Sequence, residues 1–287
     1  MRERGSKLRK AAEQVYGVEL AKYAIRSMDI IGDIAIIKVP DILMDGRFEF
    51  AEKIIELLPS ISTVFRQKSP VKGSYRLRDL EFLAGTYKTM TIHKEYGCRF
   101  YVDVLRTYYS PRLSTERWRI TNLVGDNEVV INMFAGVGPY SIMIAKYRNV
   151  GKVYSIDINY EAYKLHKKNV IMNKVKDKVE VILGDAWQIL HDELMSSADR
   201  ILMPLPEKAI EYLDAALYAL RKRGWLHIYL HIQYDKKEEE AFNRAANMLR
   251  HEFAKRDVNI VSMSIRRVRE VATRQLQVCV DTMVTKE

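Results

Sequence analysis

Strand-like and helix-like segments alternate along the chain after Ser110, and this alternation restricts the possible fold more than any other feature. Repeated units of this kind form a parallel, doubly wound sheet, which binds its ligand at the carboxyl ends of the strands. The predicted strands cover 128–132, 152–156, 179–183, 200–203, 225–230, 260–268 and 275–284, and the predicted helices cover 140–147, 161–173, 187–194, 207–220 and 236–255.

The chain before Ser110 has a mixed pattern, which predicts a smaller α+β domain. A chain of 287 residues is long enough for two domains of ordinary size. We therefore expect one domain over 1–107, with a helical N-terminal segment, and a Rossmann-like α/β domain over 108–287. In the first domain the predicted helices cover 1–30 and 47–58, and the predicted strands cover 32–40, 64–66 and 99–104.

Composition excludes several classes of protein. Hydrophobic residues make up 48% and charged residues 29%, which suits a folded core rather than a disordered chain. No run approaches the roughly 20 apolar residues of a membrane span, and the first residues lack a signal-peptide core, so a cytoplasmic location is expected. Cys98 and Cys279 lie far apart, and His227 and His231 fall in a predicted strand, so neither a disulfide framework nor a metal site is expected.

Positive charge is concentrated in one stretch of the chain. The 47 Lys and Arg exceed the 37 Asp and Glu by 10, and residues 62–119 contain twelve of the basic residues against five acidic ones. Six tyrosines lie in the same stretch, a combination that suits phosphate binding and base stacking. Charge alone leaves open whether this is a nucleic-acid surface or a solvated Lys-rich face. The tyrosines are Tyr75, Tyr87, Tyr96, Tyr101, Tyr108 and Tyr109.

A glycine turn after the first strand of the second domain indicates a nucleoside-containing cofactor. Glycines let the backbone approach a ligand, and the helix that follows presents unpaired amides. Asp157 ends the second strand, where it can accept hydrogen bonds from ribose, and Asp185 follows the third, where it can meet an adenine amino group. A helix N-cap is the alternative reading for Asp185. The candidate cofactor-binding residues are Phe134, Ala135, Gly136, Val137, Gly138, Pro139, Asp157, Ile158, Asp185 and Ala186.

Two segments match a known family pattern, Ser110-Pro-Arg-Leu-Ser-Thr-Glu-Arg117 and Val130-Ile-Asn-Met-Phe-Ala-Gly-Val-Gly-Pro139. With them the chain resembles the archaeal and eukaryotic tRNA guanine-37 N1-methyltransferases. The resemblance implies a class I methyltransferase fold for 108–287, a tRNA-binding role for 1–107, and S-adenosylmethionine as cofactor. A related family, the aminocarboxypropyl transferases of wyosine synthesis, shares the fold and cofactor but usually lacks the arginine after proline, so Arg112 favours the methyltransferase.

The same resemblance implies roles for individual residues. Glu116 matches the general base that removes the N1 proton, and Arg76 matches the arginine that steadies O6. For Glu116 the alternative is a surface ion pair with Arg112, four residues earlier on the helix that Ser110 and Pro111 are predicted to start. For Arg76 the alternative is a solvated basic face. The residues expected to bind the substrate are Arg112, Arg117, Tyr108, Pro204 and Pro206.

The chain also departs from the family pattern. Pro204 stands where the family usually has an asparagine that binds the target guanine, and Asn132 stands where it commonly has aspartate. The resemblance predicts methylation of guanine 37 beside the anticodon. Because of these departures, a wyosine precursor is considered as a second substrate. The expected partner is the anticodon stem-loop region of tRNA, bound by a monomer without an obligatory protein partner. The alternatives are an aminocarboxypropyl transferase and a tRNA-binding protein with a vestigial cofactor site.

Overall fold

The computed structural model describes residues 2–25, 27–71, 73 and 75–286. These residues form two compact units, one ending at Ser114 and the other beginning at Thr115. The domain boundary expected from the sequence, after residue 107, lies a few residues earlier.

The first unit packs two helices on a four-stranded sheet. Helix α1 (Arg2–Leu20) ends well before residue 30, where the sequence predicted helix to stop, and Met1 and Arg26 lie outside the described residues. Apolar side chains from both helices and the sheet form one core, with Leu8, Phe50 and Val64 among its buried members. The other elements are α2 (Arg47–Leu57), β1 (Asp29–Ile31), β2 (Ile34–Ile37), β3 (Thr63–Gln67), β4 (Leu80–Gly85), and a separate hairpin of β5 (Met90–Glu95) and β6 (Cys98–Asp103).

The second unit is a seven-stranded sheet with helices between its strands, as the alternating pattern predicted. Its helices are α3 (Ser114–Leu123), α4 (Pro139–Tyr147), α5 (Tyr160–Met172), α6 (Ala186–Asp192), α7 (Leu213–Ala219) and α8 (Glu238–Ala254). Its strands are β7 (Val129–Asn132), β8 (Lys152–Asp157), β9 (Val179–Leu183), β10 (Ala198–Met203), β11 (Leu220–Gln233), β12 (Val258–Ala272) and β13 (Gln275–Lys286).

The strand order β12-β13-β11-β10-β7-β8-β9 places β7, the start of the α/β pattern, in the interior of the sheet beside the central strand β10. Strand β7 pairs in parallel with β8 on one side and with β10 on the other, so the direction of winding reverses between β7 and β10. Such a reversal leaves a crevice at the carboxyl ends of the strands. The two closing strands pair antiparallel and complete one edge of the sheet.

One predicted helix is much shorter than expected. The sequence predicted helix over 207–220, whereas α7 begins only at Leu213. The preceding residues form successive turns, in which the Lys208 N–H donates to the Leu205 carbonyl at 3.1 Å. Proline at 204 and 206 restricts the backbone before each ring and favours such a non-helical entry. Across the residues that the structure describes, no helix has both the length and the apolar character needed to cross a bilayer.

Candidate active site

Backbone hydrogen bonds fix the glycine turn at the reversal point of the sheet. The Met133 N–H donates to the Leu202 carbonyl of β10 at 3.1 Å, and the Ala135 N–H donates to the Ile156 carbonyl of β8 at 2.9 Å. The turn is therefore held from both neighbouring strands. Its position agrees with the one expected of a ligand-binding turn in a doubly wound sheet.

Left-handed backbone conformations shape this turn. Gly136 has a φ of 56° and Gly138 a φ of 89°, values that residues with a Cβ rarely adopt. Gly138 is also the N-cap of α4, and Pro139 occupies the first helical position, where a missing N–H costs nothing. The turn thus leads directly into a helix start, with Gly136 partly exposed and Gly138 buried, and Phe134, Ala135 and Val137 complete it.

Asp157 organises the turn from the end of β8. Its carboxylate accepts hydrogen bonds from the Gly136 N–H at 2.5 Å and from the Asn159 N–H at 2.9 Å. Burial raises the pKa of this carboxyl, and the two amides oppose that shift. Ile158, the next residue, is exposed. Each carboxylate oxygen can accept a second hydrogen bond, which leaves Asp157 able to bind ribose hydroxyls.

Asp185 is the N-cap of helix α6, which was the alternative to adenine binding in the sequence analysis. Its carboxylate accepts from the Trp187 N–H at 2.8 Å and from the Tyr212 hydroxyl at 2.6 Å. Burial and this carboxylate together raise the pKa of Tyr212, so its hydroxyl remains a donor. The ring of Tyr212 also lies edge-on to Phe134, with ring centroids 5.2 Å apart. Asp185 keeps unused lone pairs, so capping and cofactor binding are compatible; Ala186 beside it is buried.

Strand order brings these groups together at the carboxyl ends of the strands. Asn132 at the end of β7 lies opposite Leu202 of β10 and Ser155 of β8. The Gly184 N–H donates to the Asp157 carbonyl at 3.1 Å, which joins the ends of β8 and β9. Pro204 and Pro206 follow β10 at the same edge, Pro204 half-buried and Pro206 buried.

Glu116 is buried, with 7% of its surface exposed, so the surface ion-pair alternative is wrong. Its carboxylate accepts from Arg119 through Nε to Oε2 at 2.8 Å and through Nη2 to Oε1 at 2.7 Å. Oε1 also accepts from the Tyr229 hydroxyl at 2.7 Å. The carboxylate bound by Arg112 is that of Asp29, at 2.7 Å.

A second tyrosine links Glu116 to the glycine turn. The Tyr140 hydroxyl donates to the Tyr229 hydroxyl at 3.0 Å, and Tyr140 follows Pro139 in the first turn of α4. Burial raises the pKa of Tyr140 and Glu116 raises it further, whereas the nearby Arg117 guanidinium opposes the shift. Arg117 is itself buried. The structure therefore places the predicted base two hydrogen bonds from the helix that begins at the predicted cofactor turn.

The sequence did not single out Arg119, Tyr140, Tyr212 or Tyr229. A tyrosine on a strand and an arginine one turn after a glutamate are ordinary core and surface patterns, and their partners lie far away in the chain. Only the position of Tyr140 directly after the glycine turn offered a local signal.

His227, Cys279 and Asp281 are buried close enough together to ligate a metal. His227 Nδ1 lies 2.5 Å from Asp281 Oδ1, and the Cys279 thiol donates to the same oxygen at 3.3 Å. Arg119 binds Asp281 and Arg200 contacts His227. Two guanidinium groups beside these side chains oppose a further cation, and hydrogen bonding accounts for the arrangement.

In the first unit, two predicted site residues are brought together. The Arg76 guanidinium lies over the Tyr108 ring, 4.7 Å from its centroid, a distance typical of a cation–π contact. Arg76 has a φ of 54°, an uncommon value for arginine. Both residues line a narrow cavity with Ile31 and Arg78. Arg76 is half-buried, so a fully solvated basic face does not describe it.

The basic stretch is partly neutralised by ion pairs. Arg66 binds Glu81 at 2.6 Å, and Arg78 binds Asp29 at 3.3 Å. On the hairpin, Lys94 and Arg99 lie opposite each other and both are exposed. Exposed cations at this position can contact the phosphates of a nucleic acid.

The tyrosines of the same stretch differ in exposure, and Tyr101 and Tyr108 are half-buried. Tyr75, Tyr87 and Tyr96 are exposed, whereas Tyr109 is buried and donates to Glu95 at 2.7 Å. Tyr109 is therefore structural, and only some of the six tyrosines can stack on a base.

Family comparison identifies both parts of the chain. A model described as the TRM5/TYW2 methyltransferase domain matches residues 91–261, and one described as the TYW2 N-terminal domain matches residues 8–89.

Individual relatives agree with this assignment. The tRNA (guanine(37)-N(1))-methyltransferase Trm5b of Methanocaldococcus jannaschii is 43% identical over 71% of this chain and 58% of its own length. The Trm5b enzyme of Pyrococcus abyssi is 37% identical over 93% of this chain and 77% of its own. A solved complex of aTrm5 and tRNALeu superposes with a TM-score of 0.81 at 35% identity, covering 99% of this chain and 79% of that one. The chain thus spans less than two thirds of the M. jannaschii relative.

Proposed function

Because the chain belongs to the TRM5/TYW2 methyltransferase family, as its motifs predicted, we propose that it transfers a methyl group from S-adenosylmethionine to N1 of guanine 37 in tRNA. The class I methyltransferase fold is confirmed by the same relatives. The observation that carries the proposal is the attachment of the Glu116 carboxylate, through Tyr229 and Tyr140, to the helix that follows the glycine turn.

The carboxyl edge of the sheet suits S-adenosylmethionine. The bare backbone of Gly136 allows close approach of the methionine portion, and Gly138 gives the turn its shape, with Phe134, Ala135, Val137 and Pro139 around it. Asp157 and Ile158 would hold the ribose, and Asp185 and Ala186 the adenine. When bound, this cofactor supplies an electrophilic methyl group.

Glu116 supplies the base that the reaction needs. N1 of guanine carries a proton at neutral pH, and this proton must leave before the nitrogen can attack. A carboxylate fixed by three hydrogen bonds is already oriented to accept it. Arg117, buried on the same helix, is proposed to help position the base.

For the first unit we propose a role in binding tRNA near the anticodon stem-loop. All of its excess charge lies in residues 62–114, because residues 1–61 carry ten basic and ten acidic side chains. Arg76 is proposed to steady O6 of the guanine, with Tyr108 and Arg112 as further substrate contacts. The Arg76–Tyr108 contact supports this, since it holds the guanidinium in one place.

The test is methyl transfer to defined tRNA. Transcripts with guanine 37 or adenine 37 are incubated with the protein and labelled S-adenosylmethionine, and nucleosides are then analysed by mass spectrometry. We expect N1-methylguanosine from the first transcript only. Equal labelling of both transcripts, or of neither, contradicts the proposal.

A wyosine precursor is a second candidate substrate. Pro204 can offer only its carbonyl where the family usually has an asparagine amide, and residues 8–89 match the TYW2 N-terminal domain. Aminocarboxypropyl transfer uses the same cofactor but adds a different mass. Offering tRNA that carries 4-demethylwyosine separates methylation, aminocarboxypropyl transfer and no reaction by mass.

The remaining expectations are proposals with their own measurements. A tRNA-binding protein with a vestigial site would show no heat of S-adenosylmethionine binding, whereas we expect a saturable signal. We propose that the protein acts as a monomer without an obligatory protein partner, which sedimentation of the free protein and of its tRNA complex tests. A cytoplasmic location is tested by fractionation.

A further inference from the structure

The guanidinium of Arg119 is shared between two carboxylates. While Nε and Nη2 bind Glu116, Nη1 donates to Asp281 Oδ2 at 2.6 Å and Nη2 also reaches Asp281 Oδ1 at 3.2 Å. Burial lowers the pKa of Arg119, but its hydrogen bonds to Glu116 and Asp281 more than offset this and raise it overall. Arg119 is therefore a fixed cation between helix α3 and strand β13.

Asp281 is held from its other side by His227. His227 Nδ1 contacts Asp281 Oδ1 at 2.5 Å, and Nε2 contacts Arg200 Nη1 at 2.6 Å. A carboxylate only accepts and a guanidinium only donates, so the ring carries its proton on Nδ1 and is neutral. Burial lowers the pKa of His227, which agrees with a neutral ring.

The far end of this network returns to helix α3. Arg200 binds Glu128 at 2.6 Å and donates to the carbonyl of Leu123, the last residue of α3, at 2.8 Å. Helix α3 is thus attached to the sheet at its middle, through Arg119, and at its end, through the Leu123 carbonyl. Both the side chain of Glu116 and the helix that carries it are constrained.

We propose that Arg119 is a positioning residue for Glu116, that Asp281 and His227 hold Arg119 in place, and that Oε2 of Glu116 is the atom that takes the guanine proton. The proposal rests on the proposed function. Among the residues that the structure describes, Oε1 accepts from both Arg119 and Tyr229, whereas Oε2 accepts from Arg119 alone. A carboxylate oxygen has about two acceptor positions, so Oε2 keeps one.

Loss of this support displaces the base without removing it. A misplacement of about 1 Å in a reacting group can lower a rate by about 10²-fold. We expect Arg119→Met to lower the single-turnover rate of methyl transfer by about that factor, with saturating tRNA and cofactor. Affinities for tRNA and S-adenosylmethionine should stay within about twofold, because Arg119 is not proposed to touch either.

A double-mutant cycle separates positioning from simple stabilisation. If Arg119 acts through Glu116, Arg119→Met has no further effect in a Glu116→Gln background, whereas independent roles give additive losses. Arg119→Lys keeps the charge but has a single donor group, so its single-turnover rate should fall by about tenfold. This variant replaces Arg119→Met in the test if Arg119→Met does not fold. Asp281→Asn should also slow transfer.

Glu252→Gln is the matched control. It removes the ion pair between Glu252 of helix α8 and the half-buried Arg256, outside this network, so it should lower the melting temperature but leave the transfer rate within about twofold. Equal rate losses in Glu252→Gln and Arg119→Met, or additive losses in the cycle, overturn the proposal. If Arg119→Met reacts at the normal rate while Glu116→Gln is slow, the positioning role of Arg119 is overturned but the proposed function stands. If the wild-type protein methylates no tRNA, the proposed function is overturned as well.

Discussion

The imidazole of His166 lies directly against Gly138, so close that a Cβ on residue 138 would stand 2.1 Å from His166 Nε2. One turn later on α5, the Asn169 amide donates to the Val137 carbonyl at 2.9 Å. Helix α5 therefore supports the glycine turn by contact and by hydrogen bond. No described side chain or backbone group bonds either ring nitrogen of His166.

Gly138→Ala should distort the turn. A left-handed φ costs an alanine about 1–2 kcal/mol, and the contact with His166 adds to that cost. We expect S-adenosylmethionine affinity, measured by calorimetry, to fall at least about tenfold, since the loop must shift. Gly17→Ala is the control: its φ of 74° brings similar strain, but no atom lies within 4 Å of the added Cβ. If both variants bind the cofactor normally, the turn is not the cofactor site.

His166 should make the protein sensitive to acid. Burial lowers the pKa of His166 to about 3, whereas the unfolded chain titrates near its ordinary value of 6.5. Below pH 6.5 the unfolded state binds a proton that the folded state does not. The free energy of unfolding therefore decreases as the pH is lowered, by about 2 kcal/mol from pH 6.5 to pH 5. Denaturant unfolding at several pH values measures this loss of stability. The loss should be smaller in His166→Gln and unchanged in His251→Gln, a control at an exposed histidine. Parallel slopes for His166→Gln and the wild type contradict the assignment.

The parts of the site that follow from local pattern could be predicted from the sequence. The turn at 134–139 lies between a strand and a helix, and parallel strands bring their carboxyl ends to one edge, so Asp157 and Asp185 could be placed there. For Asp185 the two readings could not be separated, because an N-cap and an adenine contact occupy the same position in the chain. The structure shows the cap and leaves room for the other role.

Contacts between distant residues could not be predicted in this way. Arg119 and Asp281 are 162 positions apart, and Tyr229 and Glu116 are 113 apart. Nothing in a single sequence indicates such pairs, so the sequence offers only Arg112 as a partner for Glu116. In the structure Arg112 lies in a 3-10 turn, Pro111–Leu113, before α3 begins. Strands β1, β4 and β5 were missed. In β5 the polar Thr91 and Glu95 are buried while Met90 and Ile92 are exposed, which reverses the pattern that predicts a strand.

Asp157→Ala should weaken cofactor binding by about 1–3 kcal/mol, the cost of leaving buried hydrogen-bonding groups without a partner. The Gly136 N–H loses its acceptor in the same variant, so the turn should also loosen. Calorimetry with S-adenosylmethionine measures the change. Asp177→Ala, an exposed residue before β9 at the opposite edge of the sheet, should bind normally. An unchanged affinity for Asp157→Ala would mean that the ribose binds elsewhere.

The hairpin of β5 and β6 should contribute to the salt dependence of tRNA binding. Each phosphate neutralised adds about 0.9 to the slope of log affinity against log salt. Lys94→Gln combined with Arg99→Gln should lower the slope by up to about 2 and weaken binding most at low salt. Lys174→Gln with Lys176→Gln removes two charges from an exposed loop at the amino edge of the sheet and is the control. If the two double variants change the slope equally, the effect comes from long-range attraction by net charge, and the hairpin does not contact the phosphates.

Glu116→Gln tests the chemistry directly. Glutamine keeps the size of the side chain but cannot remove a proton, so the single-turnover rate should fall by about 10²–10⁴, the usual contribution of a general base. The defect should shrink as pH rises towards the pKa of guanine N1, because solvent then supplies the deprotonated base. Stability should fall by about 1–3 kcal/mol, since a buried hydrogen bond to Arg119 is weakened while Asp281 still neutralises that guanidinium. Cofactor and tRNA affinities should hardly change. A Gln variant that methylates at the normal rate across the pH range would leave Glu116 with a structural role only, as the partner of Arg119 and Tyr229, and the base would then lie elsewhere.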